Sequence, residues 1–260
     1  MTRELALVTG ASSGIGLELA RLLAQDGADL VVNAEDAELA GAAQQLRAHG
    51  TEVVTVQADL SSPDGVRQLH AAVQGVGRPL DVACLNAGVG LGRAFVDQDL
   101  DRALAVIDLN VRSTVHLAHL VLRDMVARDA GRVLFTSSIA STQPGAFQAV
   151  YNASKSFVQS FAEALQEELR DSAVTVTSLM PGPTETEFFE RADLMDTRVG
   201  QSSSKDSAEA VAEQGYEAMR KGERRVVAAS LTTKVMEAAS KVTPDAVKAT
   251  LHRGMAEPKD

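Results

Sequence analysis

Leu5-Ala6-Leu7-Val8-Thr9-Gly10-Ala11-Ser12-Ser13-Gly14-Ile15-Gly16 decides the fold. Four apolar residues without alternation read as a short strand buried on both faces. Three glycines follow, and Leu19, Ala20, Leu22 and Leu23 then recur at helical spacing as far as a stop at Gly27. Strand, glycine-rich turn and helix in succession suit the pyrophosphate of a dinucleotide. Glycines let the backbone turn sharply and approach the phosphates, while free N–H groups at the helix N-terminus face the anion. The spacing is Gly-x-x-x-Gly-x-Gly, distinct from the commoner Gly-x-Gly-x-x-Gly fingerprint. Taken alone, such a turn also reads as a tight connection with no ligand.

The same alternation continues along the chain. Strands are expected at Leu30–Val32, Val53–Val56, Val82–Leu85, Val133–Phe135 and from Val174, ending at Asn33-Ala34-Glu35-Asp36, Asp59, Asn86-Ala87-Gly88, Ser137-Ser138 and Pro181-Gly182. Helical patterns separate them, the longest running roughly from Asp99 to Arg128. This predicts an α/β fold: a doubly wound parallel Rossmann sheet in three layers (α/β/α), forming a single domain over residues 1–260. Ligands of such sheets bind off the carboxyl ends of the strands, where these glycine and polar residues fall. Pro183 to Asp206 is the least patterned stretch and reads as a lid or surface loop, a substrate loop at about 183–206. A last short strand at Arg225-Val226-Val227 precedes an extension at about 229–260 with two modest helices, the second after Pro244. Its Met236, Val242, Val247 and Leu251 suit either cover for a sheet edge or contact with another subunit.

Composition narrows the function. The chain has 260 residues, 45% apolar, with a net charge of −10, which argues against nucleic acid and anionic membranes as partners. No stretch has the apolar length of a membrane span, and the N-terminus lacks the basic lead of a signal peptide, so a cytoplasmic location is expected. Cys84, the single cysteine, sits in an apolar run and reads as packing. The five histidines form no ligand pattern with cysteine or carboxylates. His116 and His119 lie three apart on the long helix without further ligands, so no metal site is expected.

The chemistry lies in Tyr151-Asn152-Ala153-Ser154-Lys155, at the head of a run in which Phe157, Phe161, Leu165 and Leu169 recur every four positions. One helical turn brings Tyr151 and Lys155 to the same side. The ammonium then favours phenolate, and a positively charged cofactor ring adds to the effect. A bare Tyr-x-x-x-Lys is common: Tyr216 and Arg220 show comparable spacing without assigned chemistry. Oxidising an alcohol by hydride loss requires removal of its hydroxyl proton, and reducing a carbonyl requires the reverse. Tyr151 suits either task. Ser137 and Ser138 are equally placed by type to hold the substrate oxygen.

Thr9-Gly10-x-x-x-Gly14-x-Gly16, Asp59, Asn86-Ala87-Gly88, Asn110, Ser138, Tyr151-x-x-x-Lys155 and Pro181-Gly182 together resemble the short-chain dehydrogenase/reductase (SDR) family, in its short single-domain branch. The ordered match covers about residues 5 to 228. The resemblance implies Asn110, Ser138, Tyr151 and Lys155 as catalytic residues. It selects Ser138 over Ser137, thirteen positions before Tyr151, and implies that Asn110 distorts its helix and holds a water passing protons to the lysine. Cofactor contacts are implied at Gly10, Ser12, Ser13, Gly14, Ile15, Gly16, Glu35, Asp59, Leu60, Asn86, Ala87, Gly88, Tyr151, Lys155, Pro181, Gly182 and Thr184. Thr186 competes with Thr184 for the nicotinamide carboxamide.

The expected cofactor is NAD, with NADP as the second choice. Family members using NADPH often carry arginine after the second strand and a basic residue before Gly14, where this chain has Glu35 and Ser13. A carboxylate there accepts from ribose hydroxyls and repels a 2′-phosphate. The family's usual NAD-selecting aspartate would fall at Ala34, which leaves Glu35 facing either the ribose or solvent. The expected substrate is a small secondary alcohol or carbonyl compound, apolar if Phe147, Met180, Phe188, Phe189 and Met195 line its pocket. The family also implies a homodimer or homotetramer built on the outer faces of the helices at Asp99–Arg128 and Ala149–Arg170. Two rival readings are a non-catalytic dinucleotide-binding sensor or scaffold and a nucleotide-sugar epimerase-like enzyme. The combination of Ser138, Tyr151 and Lys155 disfavours the first, and the small remainder after the sixth strand disfavours the second.

Overall fold

Seven parallel strands, beginning in sheet order at Val53, Asp29, Leu5, Val82, Gly131, Val174 and Arg225, form one sheet, in a computed structural model that describes residues 3–228 and 243–258. In chain order the first elements are β1 (Leu5–Thr9), α1 (Gly14–Gln25), β2 (Asp29–Ala34), α2 (Leu39–Arg47), β3 (Val53–Gln57), α3 (Pro63–Gly75) and β4 (Val82–Leu85). There follow α4 (Leu100–Ile107), α5 (Thr114–Ala127), β5 (Gly131–Thr136), α6 (Ala149–Glu168) and β6 (Val174–Pro181). Each strand expected from the apolar runs is present; β4 has the expected bounds and the others are extended by one or more residues. β1 pairs with β2 on one side and β4 on the other, from Ala6↔Leu30 and Ala6↔Val82 onward. The strand order reverses there, leaving a crevice at the carboxyl ends of β1 and β4.

Apolar residues fill both sheet faces. Leu19 and Leu23 of α1, Leu39 and Leu46 of α2, and later Val211 and Met219 pack on one face. Val66 and Leu69 of α3, Leu117 and Val121 of α5, and Val158 and Ala162 of α6 pack on the other. Cys84 is fully buried in the first layer, and burial pushes its thiol up to about 12. This leaves it inert packing.

The stretch expected to be irregular is folded. It contains β7 (Thr184–Glu185), α7 (Phe188–Arg191) and β8 (Asp206–Ser207), with β7 and β8 paired in parallel. Arg102 pairs with Asp193 and Arg93 with Asp196, tying this segment to the approach to α4. Next come α8 (Ala208–Lys221), β9 (Arg225–Ala228) and α9 (Asp245–Ala256). The expected second tail helix is therefore present. Lys248 Nζ and His252 Nδ1 reach the carbonyls of Thr142 and Ala146, so α9 docks on the loop before α6. Val247 and Leu251 stay exposed, while Met236 and Val242 lie outside the described residues.

Candidate active site

The glycine-rich turn closes because its glycines lack side chains. Gly14 has φ +55°, a left-handed conformation, and a Cβ at Gly16 would lie 2.0 Å from the carbonyl oxygen of Gly10. Ser13 precedes α1 in an extended conformation without a side-chain cap, leaving the first-turn N–H groups facing the crevice. Thr9 Oγ1 accepts from the N–H groups of Asn86 and Ala87. Asn86 Nδ2 donates to Thr9 O, and Thr136 donates to Asn86 Oδ1. The Asn86 side chain thereby joins the ends of β1, β4 and β5.

A cleft of ≈ 710 Å³ lies above these strand ends. It gathers every sequence-expected cofactor residue, together with Ser138, Tyr151 and Lys155. Asp59 stands at its exposed rim, where Ser61 occupies both carboxylate oxygens. Thr184 turns its hydroxyl onto Gly182 O, while Thr186 sits over Gly14. Of the residues expected to form an apolar pocket, Phe188 and Phe189 line the cleft. Met180 is instead buried core, Met195 is exposed, and Phe147 lies under Arg253.

Asn110 explains the break in the long helix. Between α4 and α5, residues Asp108–Ser113 widen into a π turn. There Asn110 Oδ1 accepts from Val89 N, while its Nδ2 donates to Val89 O and Ser154 Oγ. The amide thus ties the β4 loop to α6.

Tyr151 and Lys155 lie in the first two turns of α6, on its inward face with Ser154, Val158 and Ala162. The Phe157–Leu169 stripe lies on a different side, and Phe157 is 41% exposed. Ser137 donates to the carbonyl of Lys155, fixing the helix, while Ser138 faces the cleft and accepts from Ala140 N. Phe188 covers the phenol at 5.0 Å between ring centroids.

The electrostatics depart from expectation. Burial pushes the Tyr151 phenol up to about 12, opposed only by hydrogen bonding with Ser138. Burial also lowers Lys155 to about 8. The ammonium lies 6.0 Å from the Tyr151 ring centroid and donates to Thr136 O at 2.8 Å. Lost hydration outweighs this one cation, so Lys155 alone does not acidify the phenol.

A stability consequence follows for Lys155. Below pH 8 both folded and unfolded chains hold its proton, and the burial cost is fully present. Between 8 and 10.5 only the unfolded chain holds it, so this group's destabilisation fades as pH rises. Lys155→Met should therefore unfold at higher urea than the parent at pH 7, by up to about 3 kcal/mol, with the gap narrowing towards pH 10. A gap independent of pH would contradict this assignment.

Sequence reasoning passed over Asp36. Its carboxylate accepts from Ser12 Oγ at 2.9 Å and approaches Arg191 of α7 at 3.7 Å. Its Oδ1 is buried with no hydrogen-bond partner. Glu35, the expected ribose reader, is exposed and one residue nearer the strand. A buried, orphaned acceptor at the end of β2 fits a ligand hydroxyl. Bare Gly88 fits a flat ring nearby: a Cβ there would lie 3.2 Å from Lys155 Nζ. The residues present thus suit a dinucleotide lying from Asp36 to Tyr151.

Comparison with known proteins agrees with this geometry. A family model described as short chain dehydrogenase matches residues 4–196. A 1-deoxy-11-beta-hydroxypentalenate dehydrogenase of Streptomyces avermitilis is 39% identical over 188 residues, covering 70% of this chain and 68% of that protein. An uncharacterized oxidoreductase of Staphylococcus epidermidis is 31% identical over 191 residues, covering 73% and 82%. A short-chain dehydrogenase from Sphingobium yanoikuyae, solved with NADPH, superposes with a TM-score of 0.82 at 25% identity, covering 99% of this chain and 98% of that one. One from Burkholderia phymatum, solved with NAD, gives 0.83 at 25% identity with the same coverage.

Proposed function

This chain belongs to the short-chain dehydrogenase/reductase family of oxidoreductases, and on that premise we propose that it transfers hydride between NAD and a secondary alcohol or the matching carbonyl. The observation carrying this reading is the buried Tyr151 phenol, in hydrogen-bonding relation to Ser138 at the cleft floor and one turn from Lys155. Bound nicotinamide would supply the hydride acceptor or donor and, when oxidised, a positive charge. Ser138 holds the substrate oxygen. Tyr151 Oη takes the alcohol proton during oxidation and returns it during reduction. Lys155 leaves Thr136 O to meet the ribose hydroxyls, and Asn110 positions the floor. Asp36 replaces Glu35 as the ribose acceptor, and NADP is the second cofactor choice. Solved relatives carry NAD or NADPH, consistent with this range.

Incubating the protein with NAD and a panel of apolar secondary alcohols tests the reading. Net formation of reduced cofactor is expected. Turnover without net reduction would indicate an epimerase, and binding with neither would indicate a sensor.

We also place a second copy of the chain on the outer face of α5 and α6. Val115, Leu122, Val126, Phe161 and Leu165 form a shallow apolar groove there, beside exposed Phe157. Phe157→Asp should lower the sedimenting mass at micromolar concentration, and an unchanged mass would remove this face from the assembly. Among the described residues, no helix is long and apolar enough to cross a membrane.

A further inference from the structure

Among the described residues, four cations line the cleft: Lys155 serves the proton chemistry and Arg191 pairs with Glu187, which leaves Arg198 and Lys248 without an assigned role. Lys248 belongs to α9, and its side chain is only 13% exposed. Its Nζ donates to the carbonyl of Thr142, four residues beyond Ser138, at 3.4 Å. Its carboxylate partner, Asp245, is largely in solvent, so that ion pair holds the lysine weakly. Arg198 borders the other end of α9, where Val199 N donates to Met255 O. Among the described residues Arg198 makes no ion pair. Seven helical residues separate Lys248 from Met255, a rise of about 10 Å that two long side chains can span.

Charge in the cleft is unevenly distributed: Glu187 and Arg191 pair with each other, and Arg191 also approaches Asp36. Glu35, Asp36 and Asp59 gather at the ends of β2 and β3, on the adenosine side. Lys248 contacts the turn after Ser138, on the substrate side, away from the glycine-rich turn that faces the pyrophosphate. Ile139, Phe188, Leu251 and Met255 provide apolar walls between Arg198 and Lys248 and the floor. In a chain of net charge −10, such a local reversal attracts what the surface as a whole repels.

We propose that the substrate is an apolar alcohol or ketone bearing a carboxylate remote from its reacting carbon, and that Arg198 and Lys248 receive that carboxylate. This rests on the dehydrogenase reading for the reacting group, but anion recognition has its own test. Decanoate and methyl decanoate are titrated into the full chain saturated with NAD, with binding read by calorimetry. Decanoate should bind roughly tenfold to a hundredfold more tightly than the ester. Arg198→Ala/Lys248→Ala should erase that difference while leaving NAD affinity within about twofold. Equal binding of acid and ester by the parent would overturn the proposal, as would a preference surviving in the double variant. A parallel loss of NAD affinity would also overturn it, by assigning the cations to the cofactor phosphates. If decanoate preference persists while no alcohol yields reduced cofactor, the dehydrogenase reading fails and the anion site stands.

Discussion

Tyr151→Phe should lower turnover by roughly 10²- to 10⁴-fold, the range associated with loss of a positioned proton donor, while NAD affinity changes little. The substitution removes one oxygen from a ring 8% exposed and covered by Phe188, so the shape of the cleft persists. The removed hydroxyl also loses its hydrogen-bonding relation to Ser138, but Ser138 still faces the cleft and can be solvated there. A steady-state assay paired with equilibrium NAD titration separates these effects. Loss of NAD affinity with turnover preserved would overturn the role given to the phenol. Lys155 should behave differently, because in the proposed mechanism its ammonium serves both ribose and phenol: Lys155→Met should impair cofactor binding and turnover together.

Asp36→Ala should shift the preference between NAD and NADP by roughly tenfold to a hundredfold towards NADP, the scale for loss of a hydrogen bond to a charged group. Two changes act in the same direction. The ribose hydroxyls lose their acceptor, and Arg191, 3.7 Å from the aspartate in the parent and still paired with Glu187, no longer faces a carboxylate at the 2′ position. Glu35→Ala, by contrast, should change the preference by less than about threefold, because that side chain lies in solvent, where charge is screened. The ratio of kcat/KM for the two dinucleotides checks both variants. A larger effect at Glu35 than at Asp36 would restore the reading made from sequence spacing alone.

The proposed move from Glu35 to its neighbour Asp36 shows where sequence reasoning stops. The sheet was legible because Leu5–Val8, Val82–Leu85 and similar central runs must be buried on both faces, and the glycine and polar ends of the strands then mark the crevice. The break at Asn110 was legible only through the family resemblance, since residue type says no more than that an amide is a mediocre helix former. The attachment of that amide to Val89 and Ser154 was not legible, because those partners lie 21 and 44 residues away. Ser12 bonding Asp36 is likewise a tertiary event that residue type cannot rank against Glu35. α7 and the β7–β8 pair escaped notice because elements of four and two residues are too short to show a period. The docking of α9 joins residues about a hundred positions apart and leaves no local pattern. The acidity of Tyr151 depends on burial, and residue type carries no measure of that.

Burial also yields the most direct test of the central claim, that charge arriving with oxidised nicotinamide makes the Tyr151 phenol competent at working pH. The chain has two tyrosines and no tryptophan, so Tyr216→Phe leaves Tyr151 as the sole phenolate chromophore. Near-ultraviolet absorbance of this variant should show no phenolate between about pH 6 and about pH 10 in the free protein, whose phenol sits up at about 12. Saturation with NAD should bring the phenolate transition into that window. Identical traces with and without NAD would contradict the account.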